Sequence, residues 1–89
     1  MDNTTQGPKP QQEVVIYSTP TCHFCALSKD YFTKNNIQFT NYDVATDFEK
    51  RQEMIDMTGQ MGVPVIRIGN DVVIGFDKPK LAELLGIKE

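Results

Sequence analysis

Cys22 and Cys25 are the only thiols in the 89-residue chain, and they stand three positions apart in Cys22-His23-Phe24-Cys25. Two thiols at this spacing can sit inert in a core, hold a soft metal ion, or cycle between dithiol and disulfide. Closing so short a loop removes little entropy from the unfolded chain, so a disulfide here is a poor brace. A closed zinc site wants four ligands, and His23, the other donor at hand, is poorly placed as an immediate neighbour. Exchange chemistry is therefore the favoured reading, with a soft-metal or iron–sulfur carrier using Cys22 as the alternative. His23 has two readings: a charged ring that stabilises the adjacent thiolate, or a solvated side chain on a first helical turn.

The elements around the pair give it a position. Glu13 to Ser18 is a short, β-branched apolar run that reads as a buried strand, closed by Thr19-Pro20-Thr21. From Cys22 to Asn35 neither Gly nor Pro interrupts, and Phe24, Leu27, Tyr31 and Phe32 mark one helical face. The pair thus opens a helix, where unpaired N–H groups and the dipole favour negative charge. A cysteine at such a place can titrate anywhere from about 3.5 to 7.5. Cys22 is expected to attack a substrate disulfide, and Cys25, one turn deeper, to resolve the mixed disulfide.

Further along, Gln38 to Val44 reads as a second strand, and Thr46-Asp47-Phe48-Glu49 has capping-box spacing with Thr46 as N-cap. The helix it opens should run to about Thr58, with Phe48, Ile55 and Met54 or Met57 inward, and stop at Gly59. Val63 to Ile68 and Asp71 to Ile74 are strands joined by the tight-turn pair Gly69-Asn70. Asp77 can cap a last helix with Pro79 in its first turn and Leu81, Leu84 and Leu85 on its buried face, ended by Gly86. The order β-α-β-α-β-β-α belongs to the α/β class, with its first βαβ unit parallel.

Residues 1–12 have no apolar side chain apart from Met1 and the prolines, include Gly7, Pro8 and Pro10, and are expected to form a disordered tail before a single domain at 13–89. With a net charge of −3 and scattered basic residues, the chain carries no nucleic-acid footprint. No apolar stretch reaches bilayer length, and no secretory leader is expected. A cytoplasmic monomer without a membrane partner is expected.

A Cys-x-x-Cys at a strand–helix junction, a later Val63-Pro64 opening a strand, and Gly75-Phe76-Asp77 before the final helix resemble the glutaredoxin family. The resemblance runs from about Val14 to Gly86. It implies a thioredoxin-like fold, a four-stranded mixed sheet flanked by three helices, and the activity of a dithiol protein-disulfide oxidoreductase without a bound cofactor. Pro64 would then be cis and lie beside Cys22, leaving the backbone of Val63 to pair with an extended substrate. Gly75, Phe76 and Asp77 would hold a γ-glutamyl carboxylate at a helix start, and Thr19, Pro20 and Thr21 would complete the substrate site. The substrates implied are disulfide-containing proteins or glutathione mixed disulfides.

Departures from the family bear on the reductant. Typical members carry Cys-Pro-Tyr-Cys, a Lys where Thr19 stands, and Gly-Gly where this chain has Ile74-Gly75. Thr19-Pro20 and Gly75-Phe76 resemble instead the glutaredoxin-like redoxins that serve ribonucleotide reductase and are re-reduced by thioredoxin reductase. Gly62 to Ile66 together with Gly75-Phe76-Asp77 also resembles a small bacterial glutaredoxin-like subgroup. Both reductants, glutathione and thioredoxin reductase, stay open at this point. No buried acid precedes the motif, because Val14-Val15-Ile16 offers none. A fold kept only to recruit a partner through the Val63 edge is a further alternative.

Overall fold

The computed structural model describes residues 12–87. Residues 1–11 of the expected tail lie outside them, while Gln12 is described and its side-chain amide donates to the carbonyl of Leu84 across 3.2 Å. The elements are β1 (Val14–Ser18), α1 (His23–Lys34), β2 (Thr40–Asp43), α2 (Phe48–Thr58), β3 (Val65–Ile68), β4 (Asp71–Ile74) and α3 (Lys78–Leu85). This is the expected β-α-β-α-β-β-α order.

The strands form one sheet in the order β2-β1-β3-β4. β1 and β2 are parallel, whereas β1–β3 and β3–β4 are antiparallel, so the sheet is mixed. β1 is buried at all five positions because both of its faces are covered. On one face Val14, Ile16, Ile66 and Ile68 pack with Tyr31 and Phe32 of α1 and Leu81 of α3. On the other, Val15, Tyr17 and Val65 pack with Val44 and with Met54 of α2. Among the described residues no helix is long and apolar enough to cross a membrane.

Local sequence accounts for the helix boundaries. Gly59 and Gly86 end α2 and α3 in left-handed conformation, with φ of 74° and 71°. Asp77 caps α3 by accepting from the N–H of Lys80 across 3.2 Å, with Pro79 in the first turn.

Four expectations need correction. Asp47, not Thr46, caps α2, its carboxylate accepting from the N–H of Lys50 across 3.1 Å. Thr46 belongs to the preceding turn, where its hydroxyl and N–H both donate to the carbonyl of Asp43. Phe48 starts the helix facing outward and is 67% exposed. The buried stripe of α1 is Cys25, Ser28, Tyr31 and Phe32, while Phe24 and Leu27 are exposed. Apolarity alone points to Phe24 and Leu27, but the small side chains of Cys25 and Ser28 are the ones turned inward.

β3 also begins two residues later than the apolar run, at Val65 opposite Tyr17. Pro64 has no N–H to give to a ladder, so pairing starts just after it.

Candidate active site

Cys22 is the N-cap of α1, with extended backbone (φ −87°, ψ 113°), and its sulfur accepts a hydrogen bond from the N–H of Cys25 across 3.1 Å. A cysteine thereby fills the place that Ser, Thr or Asp usually takes, satisfying one of the orphan donors of the helix start. The tight turn before it is closed by the N–H of Cys22 donating to the carbonyl of Thr19 across 3.3 Å. The pair is joined as a disulfide, with Cα atoms 5.2 Å apart. Cys22 is partly exposed and Cys25 has no exposed surface. That asymmetry lets an outside sulfur reach Cys22 but not Cys25.

The register of the sheet brings the other segments to the same end. Tyr17, near the end of β1, lies opposite Val65, and Val65 lies opposite Ile74. Pro64 and Gly75 therefore flank adjacent ladder ends, and the N–H of Gly75 donates to the carbonyl of Pro64 across 2.8 Å. The Val63–Pro64 peptide bond is cis, as the resemblance implied, and Pro64 is buried. Val63 precedes the first ladder residue, so the ladder does not use its backbone.

Each sequence-derived site residue has a definite place. Thr19 is half-buried, while Pro20 and Thr21 are exposed in the turn before Cys22. Gly75 takes φ of +88°, with open space where a Cβ would stand. Phe76 packs edge-on against the Tyr31 ring at 5.8 Å and so joins the core. Asp77 is exposed and its carboxylate is engaged in capping α3. His23 is exposed and meets the Phe24 ring at 5.4 Å. Ile74, beside Gly75, is 55% exposed.

Sequence reasoning missed two polar groups. Ser28, with no exposed surface, donates its hydroxyl to the carbonyl of Phe24 across 2.8 Å. The helical spacing of Ser28 from Cys25 was the available signal. Tyr17, also without exposed surface, donates to a carboxylate oxygen of Glu53 on α2 across 2.7 Å. Burial, then the bond to Glu53, raises the Tyr17 hydroxyl above its ordinary value, while the Tyr17 and Lys50 hydrogen bonds hold Glu53 below its own. Nothing in the sequence links these positions, which lie 36 residues apart.

No group of three or more His, Cys, Asp or Glu side chains stands together as a metal site among the described residues. The two sulfurs can instead exchange one covalent bond between themselves and an incoming disulfide.

Residues 14–73 match the model of the glutaredoxin family. A glutaredoxin-like 8.6 kDa protein of the rubredoxin operon in Clostridium pasteurianum is 42% identical over 72 residues, covering 81% of this chain and 96% of that protein. Glutaredoxin 3 of Escherichia coli (strain K12) is 31% identical over 64 residues, covering 72% of this chain and 77% of that protein. Among solved structures, the thioredoxin-like protein BC3987 superposes with a TM-score of 0.78 at 29% identity, covering 82% of this chain and 100% of that one. With its thioredoxin-like fold and its Cys-x-x-Cys pair of thiol–disulfide oxidoreductase type, this chain belongs to the glutaredoxin family.

Proposed function

We propose that this protein is a dithiol protein-disulfide oxidoreductase in which Cys22 is the nucleophile and Cys25 the resolving thiol. The observation that carries the reading is the pairing of a partly exposed helix-cap sulfur with a fully buried partner one turn away. In the reduced protein the Cys22 thiolate attacks one sulfur of a substrate disulfide. A Cys22–substrate disulfide forms, and the other substrate sulfur leaves as a thiolate and takes a proton. The Cys25 thiolate then attacks the Cys22 sulfur, closing the Cys22–Cys25 disulfide and releasing the second substrate thiol. Two electrons pass to the substrate, and an external thiol donor returns them.

The substrates are disulfide-bearing proteins or glutathione mixed disulfides, received by Thr19, Pro20 and Thr21, by the Val63 backbone beside Pro64, and by the Gly75-Phe76-Asp77 segment. Thr19 offers no cation for a glycine carboxylate, and Ile74 carries a side chain where typical family members have a second Gly. Both features favour a thioredoxin reductase over glutathione as the donor. A coupled assay tests this: NADPH consumption with thioredoxin reductase is expected to exceed that with glutathione and its reductase. The reverse order overturns the donor assignment. Survival of either reaction in Cys22→Ser overturns the nucleophile itself.

A further inference from the structure

Ser28 has no exposed surface and lies one turn beyond Cys25, yet the exchange steps do not use it. Its hydroxyl donates to the carbonyl of Phe24 across 2.8 Å. That carbonyl and the N–H of Cys25 belong to one peptide group, and the N–H donates to the Cys22 sulfur across 3.1 Å. Ser28 O–H, Phe24 C=O, Cys25 N–H and Cys22 Sγ thus form an unbroken series of donors and acceptors through a single amide.

We propose that Ser28 is a positioning residue for Cys22, its hydroxyl polarising the Phe24–Cys25 peptide so that the Cys25 N–H holds the Cys22 sulfur more strongly. A donor on a carbonyl oxygen draws density from the amide and leaves its N–H more positive. Linked hydrogen bonds strengthen one another by roughly 10–30% each, and Ser28 itself is buried at the head of the series. The benefit grows with charge on the sulfur, so it is largest for the thiolate that attacks.

A serine that bonds back to the carbonyl four residues earlier is otherwise a mild liability in a helix. Alanine would fill the same inward position with better helix propensity and no hydroxyl. Stability alone therefore argues against the residue that is present, and the identity of the carbonyl it binds supplies the reason for it.

The inference rests on Cys22 being the attacking sulfur, and its test reads Cys22 without relying on turnover. Alkylation of Cys22 in the reduced full chain is followed against pH by mass spectrometry for the parent protein, Ser28→Ala and Ser28→Thr. Ser28→Ala is expected to raise the Cys22 titration by a few tenths of a pH unit, about a twofold loss of thiolate below its midpoint. Ser28→Thr keeps a hydroxyl able to reach the same carbonyl and is expected to titrate as the parent does. The amide proton of Cys25 should move upfield in Ser28→Ala alone. A Cys22 titration unmoved or lowered in Ser28→Ala, an equal rise in Ser28→Thr, or an unmoved Cys25 amide overturns the proposal. Exchange activity surviving in Cys22→Ser is a different failure, that of the nucleophile assignment, and is read from separate variants.

Discussion

The N–H of Cys25 donates to the sulfur of Cys22 across 3.1 Å, while the Cys25 side chain is buried completely. One residue thus supplies a donor to the outer sulfur and withholds its own sulfur from solvent. The two thiols are made unequal by position and not by residue type.

In the reduced protein, Cys22 is expected to react with iodoacetamide with a midpoint below the reference thiol value of about 8.5, and Cys25 more slowly at every pH. Cys22→Ser should abolish exchange, whereas Cys25→Ser should accumulate a mixed disulfide with substrate that mass spectrometry can weigh. A Cys22 midpoint at or above the reference value contradicts the assigned roles.

Thr19→Lys places a cation where the chain has a hydroxyl, at the residue whose carbonyl closes the turn onto Cys22. An exposed ion pair with a carboxylate contributes about 0.2–1 kcal/mol. KM for a glutathione mixed disulfide should therefore fall by roughly 1.4- to fivefold, with kcat little changed. An unchanged KM would show that Thr19 does not face that carboxylate.

Gly75→Ala should destabilise the fold by about 1–2 kcal/mol, measured by urea unfolding. The space around the missing Cβ is open, so the cost arises from φ of +88° and not from a clash. Gly59→Ala, with φ of +74° and equally open space, serves as a control at the end of α2. Only the Gly75 variant should also slow exchange.

Tyr17→Phe removes the hydrogen bond to Glu53 and should cost about 1 kcal/mol near neutral pH. The Tyr17 hydroxyl is raised above 10.0, first by burial and then by Glu53, so its stabilisation is present below pH 10 and lost as pH rises through the folded value. Glu53 is held below 4.5, first by Tyr17 and then by Lys50, so its share is present above 4.5 and lost as pH falls through the folded value. Unfolding curves of the parent should weaken at both ends of the pH range. The Phe variant should lose the alkaline limb of that profile and keep most of the exposed Lys50–Glu53 part of the acid limb. Identical profiles would exclude the pair as a source of pH dependence.

Much of this molecule was legible from local chemistry. A β-branched run ending at Ser18, a helix start at the cysteines, a Gly69-Asn70 turn and an Asp77 cap each depend on neighbours within a few residues, and each appears where expected. The element order followed, and with it the placement of Cys22 at a helix start. Local rules failed where two polar residues competed for one job, as with Thr46 and Asp47, because a turn bond to Asp43 had already engaged Thr46.

Spacing and breakers, which act through the adjacent backbone, are enough to place Cys22 and Cys25 in one turn at a strand–helix junction. Tertiary structure decided which sulfur is buried, that Pro64 and Gly75 meet through 2.8 Å at the same sheet end, and that Tyr17 finds Glu53. It also turned Ser28 inward and left Phe24 and Phe48 exposed. Those outcomes depend on which face each helix lays on the sheet, and packing of the whole chain sets that face where local apolarity does not.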